Sequence, residues 1–286
     1  MTQTLKVPGA ELYYEVRGHG PLLLIGQSGD GDADRSADLV GQLTDHFTVV
    51  SYDRRGLSRS PLTDPNQPVT PEMHADDMHR LLAALTDEAA VVLGCSIGAL
   101  LGLQLAADHP EQVSVLIAHD PATPGLLPAA DRVRIEQTLA DIQAAYRQDG
   151  LPAALRLLAE ATGITIDAMA REPQVVLQPT TAARVANMDF FLTNDLSRLS
   201  ENALDAETVV RAVASGVRII AAAGEASHAA WNYQCAEILA GLVGSEVVEF
   251  PGGHNGNTMF PRAFAARLLD VLQRERLVRA GDAVGG

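Results

Sequence analysis

Ser96, His254 and a carboxylate at Asp120 or Glu225 are the side chains whose types and places can make an activated nucleophile in this chain. Ser96 stands in Gly94-Cys95-Ser96-Ile97-Gly98, between an apolar run over 89–93 that reads as a buried strand and a Leu- and Ala-rich run over 99–109 that reads as a helix. A Gly-x-Ser-x-Gly in that setting is a turn tight enough to strain the serine backbone, with small neighbours that permit close approaches. The turn lifts the hydroxyl above the strand ends and aims the Ile97 N–H into the same space. On its own the pentapeptide is a weak signal, since a serine capping an ordinary turn looks the same.

A serine hydroxyl at its ordinary pKa is a poor nucleophile and needs a base, which in turn needs an orienting acid. His254 lies in Pro251-Gly252-Gly253-His254-Asn255, after the last strand pattern and before the last helix pattern. A glycine-rich loop there can carry an imidazole across the strand ends. His109 and His119 are worse placed, one ending a helix and the other on a strand beside Asp120. The acid has two candidates. Asp120 ends the strand that follows the Ser96 helix, and Glu225 lies in the later loop Gly224-Glu225-Ala226-Ser227-His228.

Developing negative charge needs two backbone donors. One is Ile97 N–H. The other belongs to Gly26-Gln27-Ser28-Gly29-Asp30-Gly31, where three glycines permit unusual backbone, with Ser28 and Gly29 as candidates. Asp53-Arg54-Arg55-Gly56-Leu57-Ser58 ends another strand and reads as a hydrogen-bonded network holding its loop, with substrate contact as the alternative.

The elements that must position these groups alternate. Strand patterns cover 11–16, 22–25, 47–52, 89–93 and 113–118, with helices at 39–43 and from Thr70-Pro71-Glu72 to about 85. Thr70 is a capping residue and Pro71 suits the first helical position. Strand–helix alternation with buried strands means an α/β fold, a mostly parallel sheet with helices on both faces, and ligands at the carboxyl ends of its strands. From 122 to 206 strand signals fade and helices follow one another at 130–148, 152–161 and 181–200, as expected for a helical cap inserted between core segments 1–121 and 207–286. Alternation resumes with strands at 217–223 and 246–250 and helices at 229–242 and 261–278, and the tail 280–286 is expected to fray.

Composition sets limits. The 286 residues are 47% hydrophobic with a formal net charge of −15, which argues against nucleic acid and anionic membranes as partners. No apolar run reaches the roughly 18 residues of a membrane helix, and the first residues show no signal-peptide pattern. Two cysteines, Cys95 and Cys235, give no disulfide framework, so a reduced, cytoplasmic setting is expected. Metal-ligand spacings and G-x-G-x-x-G are absent, so neither a metal nor another cofactor is expected. The sequence leaves a homo-oligomer open.

The loop 26–32, Tyr52-Asp53-Arg54-Arg55-Gly56-Leu57-Ser58-Arg59-Ser60, the Ser96 turn and His254 together resemble the α/β-hydrolase superfamily. Many of its members carry an aspartate at the place held here by Ser227. Leu93-Gly94-Cys95-Ser96-Ile97-Gly98-Ala99 and Ala118-His119-Asp120-x-x-Thr123 are similar to the zearalenone lactonases, whose acid, a glutamate, follows a histidine at the end of the strand after the nucleophile helix. The resemblance implies Ser96 as nucleophile, His254 as base, Asp120 as acid, and Ser28 and Ile97 as oxyanion donors. It departs in having Asp for Glu and in lacking their cap tryptophan. Met188, Phe190 and Phe191 in the cap, and Trp231 beyond it, are the candidate substrate contacts. The expectation is a cofactor-free serine hydrolase taking a small apolar ester or lactone. A perhydrolase, a carbon–carbon bond hydrolase, an amidase and a non-catalytic binding protein are the rivals.

Overall fold

A computed structural model of the protein describes residues 2–164, 170–176, 179–199, 201 and 204–282. The alternating pattern resolves into one eight-stranded sheet. β1 (Thr2–Val7) pairs antiparallel with β2 (Ala10–Gly18), and β2 with β4 (Thr48–Tyr52). β4 then neighbours β3 (Leu22–Gly26), and β5 (Ala90–Cys95), β6 (Val113–His119), β7 (Arg218–Gly224) and β8 (Val248–Phe250) follow, all parallel. β1 escaped the sequence reading because this edge strand turns only Leu5 and Val7 inward.

β3 and β5, at the centre of the sheet, are apolar without interruption because both faces are covered. On one face Leu23, Ile25 and Leu93 pack with Leu39 and Leu43 of α1 (Ala37–Leu43) and with Phe264 and Leu268 of α11 (Pro261–Asp282), which follows the short α10 (Gly256–Met259). On the other, Leu24 and Val92 pack with Met78 and Leu81 of α2 (Pro71–Leu85), Leu100 and Leu103 of α3 (Ile97–Asp108), Val209 of α8 (Ala206–Ala214) and Leu239 of α9 (Trp231–Val243). α2 starts as its sequence requires: the Thr70 hydroxyl accepts the Met73 N–H at 3.3 Å, with Pro71 at the first position.

Between β6 and the start of α8 the described residues form no strand. They hold α4 (Ala129–Asp149), α5 (Leu151–Ala161), α6 (Ala182–Phe190), a π-helical turn (Phe191–Asp195) and α7 (Leu196–Arg198). The helix expected over 181–200 is therefore interrupted, and Ser200 lies outside the described residues. The π turn carries Phe191, Leu192 and Asp195 into buried positions. α11 runs to Asp282, further than the expected end, and 283–286 lie outside the described residues.

Strand order reverses at the centre. The chain steps from β3 outward to β4, returns to β5, and then proceeds the other way through β6, β7 and β8. The crevice at such a reversal, outside the carboxyl ends of the strands, is where ligands bind in open α/β sheets. Here it is flanked by the loop after β3 and by the Ser96 turn.

Candidate active site

Ser96 caps α3 with φ of 55°, in the left-handed region that non-glycine residues avoid. Its neighbours make this possible. A Cβ on Gly98 would lie 2.2 Å from the carbonyl oxygen of Gly26, and one on Gly94 would lie 2.5 Å from that of Gly98. A side chain at Gly98 would push the turn off the end of β3 and one at Gly94 would push the start of α3 off β5, so the two glycines are fixed by close approach. The Ser96 carbonyl accepts the Ala122 N–H at 3.1 Å, which ties the turn to the chain leaving β6.

Asp120 follows β6 directly and also has a positive φ, 43°. Its N–H donates to the Ala222 carbonyl at 2.9 Å, so β7 fixes its backbone. The side chain is fully buried and hydrogen-bonded on both oxygens. Oδ2 accepts the Ser227 hydroxyl at 2.6 Å and faces His254 Nδ1 at 3.2 Å, and Oδ1 accepts the Gly224 N–H at 3.3 Å. Burial alone would raise this carboxyl's pKa. The neighbouring His119, the His254 and Ser227 hydrogen bonds and the His254 charge outweigh it, and the net direction is downward, which keeps Asp120 ionised. Asn232 donates to the Asp120 and Pro121 carbonyls at 3.2 and 3.4 Å, holding the bend.

With Nδ1 against Asp120, His254 keeps Nε2 as its remaining nitrogen. His254 and Ser96 line one cavity of about 500 Å³. In this structure the Ser96 hydroxyl makes no hydrogen bond to His254; such contacts often close only when substrate is bound. The alternative acid, Glu225, is solvent-exposed and makes no ion pair or hydrogen bond with His254. Its backbone N–H donates to the Phe250 carbonyl at the end of β8 at 2.9 Å.

Ser28 and Gly29 line the same cavity, and Ile97 is the first residue of α3. Among the hydrogen bonds of the described residues, none is donated by the amides of Ser28, Gly29 or Ile97, and Ile97 itself is buried and is not among the residues that line the cavity. The Gly29 carbonyl is held by the fully buried Arg54, which also pairs with Asp195 of the π turn at 2.8 Å. His74 adds a 3.3 Å contact to Asp195. The network expected from the Asp53 loop is thus present: Asp53 holds Arg59 and the Ala33 N–H, and Arg55 makes a two-pronged pair with Asp77 at 2.6 Å. The extension of this network to Gly29 and Asp195 was not legible in the sequence.

The rest of the cavity wall is mainly aliphatic, including Leu139, Leu155, Leu158, Val175 and Leu196. Of the four expected contacts, Met188, Phe191 and Trp231 line it. Phe190 does not. Its ring packs where a Cβ on Gly56 would sit, 2.4 Å away, on the loop after β4. His109 is also elsewhere, stacked on His79 with ring centroids 3.7 Å apart. His119 is fully buried against Phe250 and Phe264, neither ring nitrogen has a hydrogen-bond partner, and burial pushes its pKa down to about 4.

Known proteins share this architecture. The model of the alpha/beta hydrolase fold family matches residues 21–256. An uncharacterized hydrolase of Bacillus subtilis (strain 168), YraK, is 37% identical over 274 residues, 96% of each chain. Among solved structures, the enol-lactonase from Burkholderia xenovorans LB400 superposes with a TM-score of 0.63 at 22% identity, over 95% of this chain and 100% of that one. The bromoperoxidase from Bacillus anthracis does so with a TM-score of 0.71 at 18% identity, over 96% and 100%. At these identities the two structures speak for the fold.

Proposed function

Starting from the fact that the chain belongs to the α/β hydrolase fold family, we propose that it is a cofactor-free serine hydrolase of carboxylic esters or lactones. The observation that carries this reading is the fully buried Asp120 carboxylate 3.2 Å from His254 Nδ1, with His254 and the strained Ser96 lining one cavity.

His254 Nε2 takes the Ser96 proton as Oγ attacks the substrate carbonyl, and Asp120 stabilises the imidazolium that forms. The tetrahedral oxyanion is met by the Ile97 amide and by that of Ser28 or Gly29. The imidazolium then protonates the leaving alkoxide. Water, deprotonated by His254, attacks the acyl-enzyme, and as the C–Oγ bond breaks the imidazolium returns that proton to Ser96 Oγ, releasing the acid. In a lactone, alcohol and acid leave as one molecule.

The helices over 122–206 serve as a cap whose aliphatic residues take the acyl part. A cavity of about 500 Å³ falls within the usual range for ligand sites and suits a medium aliphatic chain or a compact lactone. Similarity to the zearalenone lactonases rests on Cys95 and the Asp120 placement, which makes zearalenone one substrate to try. Both free thiols are buried, which fits a reduced, cytoplasmic setting. No helix of the described residues is long and apolar enough to cross a membrane.

A panel of p-nitrophenyl esters of graded chain length, simple lactones and zearalenone tests the reading. Turnover of at least one, lost in Ser96→Ala, is the expected result. Turnover of none, or activity only with peroxide or on a carbon–carbon bond, contradicts it.

A further inference from the structure

Three loops meet at Asp120: its own after β6, the turn after β7, and the His254 loop after β8. The β7 turn is built to deliver one side chain there. Ser227 N–H donates to the Gly224 carbonyl at 2.9 Å, and the Ser227 carbonyl accepts the Ala230 N–H at 2.8 Å. That fixes a fully buried hydroxyl 2.6 Å from Asp120 Oδ2, the same oxygen that His254 approaches at 3.2 Å. Two donors share one oxygen, and the hydroxyl makes the shorter contact.

We propose that Ser227 is a positioning residue that sets the basicity of His254 by holding part of the charge of Asp120. This rests on the hydrolase reading above and goes beyond it, since the position contributes no carboxylate and touches no substrate. A hydrogen bond to a carboxylate stabilises its charged form and draws density from the shared oxygen. Asp120 therefore stabilises the imidazolium less than it would alone.

The other titratable groups around Asp120 are silent near neutrality. His119 on β6 is pushed down to about 4 by burial, Cys95 at the end of β5 and Cys235 on α9 are pushed up to about 12, and Tyr233 on α9 is also raised. Asp30, Asp34, Asp38, Arg35 and Arg184 line the same cavity as His254 and are common to wild type and Ser227 variants, so a difference between their acid limbs reports the change at Asp120.

The test is the pH dependence of kcat/KM in Ser227→Ala and Ser227→Cys, with the low-field proton resonance of His254 Nδ1–H as a second readout. In Ser227→Ala the acid limb should move to higher pH by about half a unit to one unit, and the resonance should move downfield as the remaining bond strengthens. Ser227→Cys keeps the shape with a weaker donor and should fall between; it decides alone if the alanine variant does not fold. An unmoved limb and resonance in folded variants would overturn the inference. Asp120→Asn separates the two levels. If it abolishes activity while Ser227 variants behave as wild type, only this inference falls. If it stays active, the reading beneath falls.

Discussion

The Ser96 N–H donates to the His119 carbonyl at 2.9 Å, so the strained serine is registered by backbone against the residue just before Asp120. Ser96 and Asp120 directly follow adjacent parallel strands, β5 and β6, with Cys95 opposite His119. A carboxylate in this place needs no long loop to hold it. The main chain that positions Ser96 positions Asp120 as well.

Asp120→Asn should lower kcat by about 10⁴, with KM little changed, because an amide cannot stabilise the imidazolium or hold its tautomer. Glu225→Gln should leave both constants near wild type, since Glu225 is exposed. Steady-state kinetics on any accepted ester checks this.

Arg54 joins the Gly29 carbonyl to Asp195. Arg54→Met leaves Asp195 buried without its main partner and should cost about 3–5 kcal/mol in denaturant unfolding. Adding Asp195→Leu should recover much of that stability, as replacing both members of a buried pair often does. It should not recover kcat, because the Gly29 carbonyl has still lost its donor. Recovery of both would make the network purely structural.

His119 titrates at about 4 in the folded protein against 6.5 when free. Between those values the unfolded chain holds the extra proton, so stability is full above about 6.5 and falls as pH drops toward 4. A gap of that size is worth about 3 kcal/mol. Asp120, whose pKa is lowered on folding, adds a loss at still lower pH. His119→Leu should flatten the pH dependence of unfolding between 6.5 and 4; an unchanged slope would place the titration elsewhere.

Met188 lines the cavity and Phe190 packs on Gly56. Met188→Trp should shift preference toward shorter acyl chains by raising KM for long ones. Phe190→Ala should leave the chain-length profile in place and lower Tm. Comparing kcat/KM across ester lengths separates the two.

Much of this site was legible because its residues are fixed by backbone rules. Gly94 and Gly98 mark a turn that no other residue tolerates, and continuous apolar runs give β3, β5 and β6. The place of Asp120 was readable because it ends a strand beside the turn. What stayed hidden depends on side chains meeting across long separations. Nothing in the sequence says that Ser227 faces Asp120, that Arg54 reaches Asp195, or that Phe190 points to Gly56 while Met188 points to the cavity. Adjacent helical residues diverge by about 100°, and the π turn after Phe190 shifts the phase of the face that follows.

The central claim is that Ser96 is the nucleophile. Treatment with a fluorophosphonate probe followed by peptide mass spectrometry tests it most directly. One adduct on the peptide carrying Ser96, lost in His254→Ala, is predicted. An unlabelled Ser96 in protein that still hydrolyses esters, or an adduct at another residue that tracks activity, would contradict the account.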